Sequence, residues 1–349
     1  MTDEQTRRAR LEPLLASARS LLDQANPRGQ RARERLVASS GLSAEGVNFA
    51  LSRCLESDPP EQEIAQLIRS TPTAQVAHVL LSANVFVAAH RAIAIGLAAS
   101  ETVRVRASRR EPEMAELLLE GAPGAFQLVD ELSPNAGDRL WAYGSDATLE
   151  EVSVTLPPGV AFHAHGSGFG VCVLDASVPS SELDSLLARL AEDVALFDQR
   201  GCLSPRVLLV EATPDLAREL GRRLATELDE LERRVPRGRL EPHEAADITA
   251  YRDSAVFAGE AHRAGLGVVS VGDSSSFPLP PIGRNVHVQA TSDAQQTLLP
   301  LRPLITSCAF AGAAARRAAL RAALPGARIC DFGTMQTPPF DGPVDRRDL

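Results

Sequence analysis

Leu183-Asp184-Ser185-Leu186-Leu187-Ala188-Arg189-Leu190, running on to Phe197, and Val207-Leu208-Leu209-Val210-Glu211 stand either side of Asp198-Gln199-Arg200-Gly201-Cys202-Leu203-Ser204-Pro205-Arg206. The first run spaces its apolar residues as a helix does and the second is a short apolar strand, so the segment predicts helix, tight turn, strand. Gly201 permits close approach of another molecule, and Pro205 stops the helix from continuing. The turn places Cys202 at the mouth of a cleft. Two readings stand for that sulfur: a nucleophile presented by a turn, or a free cysteine of the ordinary buried and inert kind.

The same alternation extends outward. Strands are predicted at Gln75 to Leu81, Thr102 to Ala107, Ala125 to Leu128, Asp138 to Ala142, Val160 to His163 and Phe169 to Leu174, with helices at Val85 to Ala99, Glu111 to Leu119 and Ala147 to Thr155. Beyond the cysteine turn come a helix at Pro214 to Glu232, strands at Gly267 to Val271 and Asn285 to Ala290, and a helix at Ala309 to Leu324. Short strands joined by helices imply an α/β fold whose parallel sheets bind nucleotides at strand carboxyl ends. Residues 3 to 56 read as helices, with Leu11, Leu14, Leu15, Ala18, Leu21 and Leu22 at helical spacing and a break at Pro27-Arg28-Gly29. Pro59-Pro60 ends that section, a helix of about ten residues follows, and Ser70-Thr71-Pro72 closes it. No internal repeat is present, and the tail from Phe332 reads as irregular. The chain divides into a helical segment at 1–70, domains at 71–177 and 178–330, and a tail at 331–349.

Composition narrows the chemistry. The 349 residues are 44% hydrophobic and 23% charged, ordinary values for a globular enzyme with a sizeable core. A net charge of −9 argues against broad nucleic-acid binding. No apolar run approaches the roughly 18 residues of a membrane span, and the opening MTDEQTRRARLEP lacks the apolar centre of a signal peptide. The expectation is a cytoplasmic protein. Five scattered cysteines (Cys54, Cys172, Cys202, Cys308, Cys330) do not suggest a disulfide framework. All 36 basic residues are arginine. Schiff-base catalysis, pyridoxal phosphate attachment and a Walker-type phosphate loop each need a lysine and are excluded. Cationic contacts to a cofactor fall to arginine, whose fork suits phosphate.

Several motifs dissolve on inspection. Gly166-Ser167-Gly168-Phe169-Gly170 spaces its glycines wrongly for a dinucleotide fingerprint and opens no helix. Gly272-Asp273-Ser274 matches a serine-hydrolase motif but lacks the Asp-x-x-His partner in the C-terminal third. His163 and His165 lack a companion cluster for a metal, so no metal site is expected. The arginine runs at 7–10, 31–35 and 222–239 read as solvated helix faces.

One collinear set remains: Asn84-Val85 where the first strand meets a helix, Arg106-Ala107-Ser108 at the end of the second strand, Gly144-Ser145-Asp146 after a later strand, and Gln199-Arg200-Gly201-Cys202-Leu203-Ser204-Pro205. Gly333-Thr334-Met335-Gln336-Thr337-Pro338-Pro339-Phe340-Asp341-Gly342 completes it. Read alone, Asn84 is an N-cap. Together, over residues 70 to 345, the set resembles the LuxC-like acyl-CoA reductases of the aldehyde dehydrogenase superfamily.

That resemblance implies two Rossmann-like parallel-sheet domains behind the N-terminal helical segment. It implies Cys202 as the nucleophile that takes an acyl group from a CoA thioester. Asn84 is then the amide that, with the Cys202 backbone N–H, receives the oxyanion. Gly144 and Ser145 mark the turn whose helix N-terminus takes the cofactor pyrophosphate. Arg106 stands where the superfamily has a ribose-binding lysine. Ser108 and Arg109 stand where NAD-preferring members carry a glutamate, and an arginine there suits a 2′-phosphate, so the expected cofactor is NADP. Oxidising members activate water with a carboxylate, but the equivalent strand reads Phe162-His163-Ala164-His165-Gly166, which favours acyl reduction. His163 or His165 is then the proton donor, His165 joining the catalytic set, with packing as the alternative role. The chain departs from the family in lacking room before Gln75 for an oligomerisation hairpin and an evident glutamate near Leu301-Arg302-Pro303. A homo-oligomer and a pathway partner enzyme both stay open. The rival functions are an acyl-phosphate reductase of the glutamyl-phosphate type and a catalytically silent, dehydrogenase-like partner protein.

Overall fold

The computed structural model describes residues 3–272 and 279–347. From Asp273 onward, the Gly272-Asp273-Ser274 motif lies outside them. The chain forms two compact units, Met1–Ser167 with Pro339–Val344, and Gly168–Pro338 with Asp345–Asp348.

The first unit begins with four helices, α1 (Asp3–Leu22), α2 (Pro27–Ser40), α3 (Ala44–Cys54) and α4 (Glu61–Ser70). Asn26 caps α2 by accepting from the Arg28 amide, with Pro27 in the first turn, which is why the Pro-Arg-Gly break starts a helix. The apolar stripe of α1 is buried, and so is Arg7, whose guanidinium donates to the carbonyls of Ala98 at 2.6 Å and Thr71 at 2.5 Å. Then follow β1 (Val76–Leu80), α5 (Ala88–Ala99), β2 (Thr102–Arg106), α6 (Glu113–Gly121), β3 (Gln127–Leu128), β4 (Arg139–Tyr143), α7 (Asp146–Thr155) and β5 (Ala161–His165). The strands make one parallel sheet in the order β3-β2-β1-β4-β5. Buried α5 packs on β1 and β2. The segment Pro339–Val344 straps onto this unit: Arg91 donates to the carbonyls of Pro339 and Gly342, and Phe340 packs beneath His90 and Arg91.

The second unit comprises β6 (Phe169–Leu174), α8 (Leu183–Ala195), β7 (Pro205–Val210), α9 (Pro214–Arg234), α10 (Pro242–Ala258), β8 (Glu260–Ala264), β9 (Gly267–Gly272), β10 (Val286–Ala290), α11 (Ala294–Leu298), β11 (Ile305–Ala311), α12 (Ala314–Ala323) and β12 (Arg328–Cys330). Its strand order is β12-β11-β6-β7-β10-β9-β8, parallel except for edge strand β8. Phe169, Val171, Val173, Val207, Leu209, Ile305, Cys308 and Phe310 form its core against α11 and α12.

Three expectations need correction. Strand β6 bonds to β7 and β11, so the boundary between units falls after Ser167, not after 177. The predicted helix from Ala309 begins inside a strand: β11 runs to Ala311, and Gly312, at φ 145°, separates it from α12. Helix α5 starts at Ala88 with Val87 at its cap, so Asn84 is not an N-cap. Among the described residues no helix is long and apolar enough to cross a membrane.

Candidate active site

The cysteine turn is built on backbone that few sequences tolerate. After α8, Phe197, Asp198 and Gln199 all adopt left-handed conformations, with φ of 54°, 50° and 64°. For residues with a Cβ this costs roughly 1–2 kcal/mol each, so the surroundings must over-determine it. They do so with buried polar bonds. The Asp198 carboxylate accepts from Arg284 Nε at 3.0 Å and from the Gly238 amide at 2.9 Å, and its backbone carbonyl accepts from Gly283 N–H at 3.0 Å. The Gln199 amide nitrogen donates to the carbonyls of Pro205 and Asn285, each at 2.7 Å, while its oxygen accepts from Asn285 N–H at 2.7 Å. Arg284 also donates to Glu232 and to the Val235 carbonyl, and Arg200 pairs with Glu244. Hydrogen bonds to charged groups are worth about 1.5–3 kcal/mol each, enough to hold three strained residues.

The loop's other side is braced as tightly. The Thr306 hydroxyl donates to the Cys202 carbonyl, the Ser307 hydroxyl to that of Leu203 at 3.1 Å, and the Gly170 amide to that of Ser204 at 2.8 Å. A Cβ on Gly170 would lie 2.4 Å from the Leu203 oxygen, so only glycine fits. The C-terminal Gly333–Gln336 stretch supports the same loop. Asp193 of α8 accepts from the amides of Gly333 and Met335, and Gln336 donates to Ser204 Oγ at 2.9 Å.

Cys202 itself is half-buried. Burial pushes its thiol up to about 11, and the Asp345 carboxylate pushes the same way. Arg347 and the backbone N–H groups of Cys202 and Leu203 oppose the shift. At neutral pH the thiol therefore rests protonated. Cys54, Cys172 and Cys308 are buried, and Cys330 is pushed up to about 12, chiefly by burial.

In the first unit, the parallel register brings the other candidates to the carboxyl edge of one sheet. Asn84 follows β1, Arg106 ends β2 with Ser108 and Arg109 just beyond, and Gly144 and Ser145 follow β4. The order in which the chain adds strands reverses between β1 and β4, the crevice where open α/β sheets take nucleotides. Ser145 caps α7, accepting from the Thr148 amide at 3.3 Å, and the Gly144 amide donates to the His165 carbonyl. Asn84 is exposed, and its side-chain oxygen accepts from Arg110 at 3.1 Å. The Ser108 hydroxyl accepts from the Arg110 amide. Arg109 is exposed and forms no ion pair among the described residues. His163 stacks on Trp141 and His165 on Tyr143, with ring centroids 4.9 and 4.6 Å apart. The two histidines thus share one face of β5. Among the described residues no group of three His, Cys, Asp or Glu is placed to hold a metal ion.

Sequence reasoning missed Arg284, Asn285, Thr306, Asp345 and Arg347. Charged and amide residues in Gly283-Arg284-Asn285, just ahead of the apolar β10, were the available signal for the first two.

Solved dehydrogenase structures share this fold. An NAD-dependent benzaldehyde dehydrogenase from Corynebacterium glutamicum superposes with a TM-score of 0.69 at 14% identity, over 96% of this chain and 84% of its own. An aldehyde dehydrogenase from Physcomitrella patens gives 0.68 at 15% identity, over 95% and 78%. An NADP-dependent glyceraldehyde-3-phosphate dehydrogenase from Bacillus halodurans gives 0.67 at 14% identity, over 93% and 78%. No curated protein sequence matches the chain. The family model for the LuxC acyl-CoA reductases matches residues 122–346, well over half of the chain, spanning β4, the cysteine loop and the C-terminal brace. The chain belongs to the LuxC acyl-CoA reductase family and is an aldehyde-forming oxidoreductase on the aldehyde dehydrogenase fold.

Proposed function

We propose that this protein reduces an acyl-CoA thioester, of fatty acyl type, to the aldehyde through an acyl group carried on Cys202, with NADPH as reductant and the cytoplasm as its compartment. The observation that supports this reading most is the over-determined left-handed turn, which fixes one cysteine between α8 and β7. Strain held in place by buried hydrogen bonds is a recurrent feature of functional loops. As a thiolate, Cys202 attacks the thioester carbonyl carbon; the carbon–sulfur bond to CoA breaks, and CoA leaves as its thiol. Asn84 is assigned as a donor to the developing oxyanion, and His165 as the proton donor.

The crevice between β1 and β4 fits a nicotinamide dinucleotide, because a capped helix N-terminus and an uncommitted arginine lie along one sheet edge. Bound there, it would supply the hydride that takes the acyl group to the aldehyde level. Gly144 and Ser145 are assigned to the pyrophosphate, Arg106 and Ser108 to the ribose, and Arg109 to the 2′-phosphate. Arg109→Ala is expected to weaken NADPH binding about tenfold, roughly 1.4 kcal/mol, and to leave NADH unchanged. Equal Kd values for the two cofactors in the natural protein would refute the NADPH assignment.

The decisive experiment is intact mass measurement after incubation with acyl-CoAs of graded chain length. One acyl adduct is expected, absent in Cys202→Ala. Turnover of glutamyl phosphate without any thioester adduct would select an acyl-phosphate reductase instead. The resting thiol, held up to about 11, favours a second reading, a catalytically silent partner protein. Neither an adduct nor cofactor binding under any condition would select that one.

A further inference from the structure

The last described residues return to the cysteine loop. Arg347 is almost wholly buried; its Nη1 donates to the Pro303 carbonyl at 2.8 Å, Nε to Asp345 Oδ1 at 2.9 Å and Nη2 to Asp345 Oδ2 at 2.7 Å. Asp345 is buried with it and also accepts from the Arg347 amide at 3.0 Å. The guanidinium lies over Gly168, where a Cβ would come within 3.0 Å of Nη2 and 2.5 Å of the Thr306 methyl. Thr306 in turn bonds the Cys202 carbonyl, so the tail pair, Thr306 and Cys202 form one contiguous cluster.

A buried ion pair is a poor stabiliser, because desolvation offsets most of the attraction. Its place beside a thiol is better explained by what it does to the thiol. Around the loop, β11 contributes Thr306 and Ser307, β6 contributes Gly170, and the C-terminal brace contributes Gln336, none of which titrates. Helix α8 contributes Asp193, held by the amides of Gly333 and Met335, and the turn itself carries Asp198 and Arg200, paired with Arg284 and Glu244. The charges acting on the sulfur come from the tail, Asp345 disfavouring the thiolate and Arg347 favouring it.

We propose that Asp345 and Arg347 are a positioning pair that governs the reactivity of Cys202, Asp345 restraining it in the resting protein and Arg347 promoting it. The consequence for catalysis rests on the reading of Cys202 as acyl carrier, but the effect on the thiol does not. The test is therefore alkylation of the full chain by iodoacetamide between pH 7 and 10, followed by mass spectrometry of the Cys202 peptide, with no acyl donor present. A neighbouring charge moves a titration by about one unit or more, so Asp345→Asn should react about tenfold faster at pH 8 and Arg347→Gln about tenfold slower. Arg347→Lys should keep the natural rate, and Asp345→Asn with Arg347→Gln should fall between the single variants.

A merely structural tail would loosen in either single variant and speed alkylation in both, which would overturn the proposal. Unchanged profiles in all variants would overturn it too. Opposite shifts without any acyl adduct in the natural protein would leave the pair's role standing and remove the acyl-carrier reading instead.

Discussion

The cysteine loop of the second unit and the turns of the first that are proposed to meet the cofactor are both short connections at sheet ends, yet they are held in opposite ways. Phe197, Asp198 and Gln199 are buried, left-handed and tied by charged and amide hydrogen bonds to Arg284, Asn285 and Gly238. Asn84, Arg109 and Ser145 are exposed; Asn84 accepts one bond from Arg110, the Ser145 hydroxyl bonds Thr148, and Arg109 forms no ion pair among the described residues. The contrast teaches which geometry the polypeptide sets before anything binds. A nucleophile must meet its target within a narrow range of distance and angle, so its loop is fixed by the fold. Residues that contact a large, charged cofactor can be ordered by the cofactor itself.

The comparison breaks most visibly at Arg284. Arg284→Met leaves the buried Asp198 carboxylate with only the longer pair to Arg200 at 3.6 Å, and breaking a buried pair on one side costs about 3–5 kcal/mol. Urea unfolding should show that loss, with formation of the Cys202 adduct falling alongside it. Asp198→Asn in the Arg284→Met background should recover part of the stability, because the uncompensated charge is gone. If Arg284→Met cost less than about 1 kcal/mol, the range of an exposed ion pair, the Gln199 bonds alone would be holding the left-handed turn.

A smaller effect, tunable by pH, is expected at Asp193, which braces Gly333 and Met335 beneath the loop. Burial raises its carboxyl to about 7, against the opposing pull of the backbone N–H groups it accepts from. The native state then binds this proton more tightly than the unfolded chain, whose aspartate titrates near 3.8. Its contribution to stability is complete below about pH 4 and is lost as the pH rises through about 7. Asp193→Asn gives up one of the two accepted N–H bonds at every pH but cannot ionise, so its Tm relative to that of the natural protein should rise between pH 5 and 8. A difference in Tm that does not change with pH would show that the brace does not depend on a protonated carboxyl. Glu111 in the first unit, also raised to about 7 by burial, has the same sign, so some slope should persist in the variant.

How much of this was legible in the sequence follows the same divide between local and distant bonds. The parallel strands could be read because a strand buried on both faces is an unbroken apolar run, as in Val171-Cys172-Val173-Leu174. Strand β11 was hidden at its end, where Ala309-Phe310-Ala311 runs into the alanines of α12 and alanine suits a helix best. Helix α10 and edge strand β8 lack an apolar period because they lie at the sheet's open margin. Cys202 was visible from its Gly-Cys turn and the following proline. Its supports were not, since Arg284 and Thr306 stand 86 and 104 positions from the residues they hold. The polar Gly283-Arg284-Asn285 ahead of an apolar strand stands out, but nothing local says which residue it holds. The tail read as irregular beyond its place in the collinear set, and its contacts were hidden for the same reason: Gln336 and Arg347 both come back to the loop.

The least disruptive change is Ser145→Ala, and it sharpens the comparison from the other side. Ser145 Oγ accepts from the Thr148 amide at 3.3 Å and bonds the Thr148 hydroxyl at 2.9 Å. Losing such a cap costs about 1 kcal/mol, and α7 is an exposed helix that buries only Leu149. Thermal unfolding should fall by no more than about 3 °C, since a kcal/mol is a small share of the unfolding entropy of a chain this long. Loosening the first turn of α7 should nonetheless weaken cofactor binding, because the amides of that turn are the proposed pyrophosphate donors and the ligand must now order them. Isothermal titration would show the larger effect in affinity and the smaller in stability, the reverse of Arg284→Met. Equal losses in both would mean that the α7 turn is fixed by the fold as firmly as the cysteine loop, and the contrast between the two regions would fail.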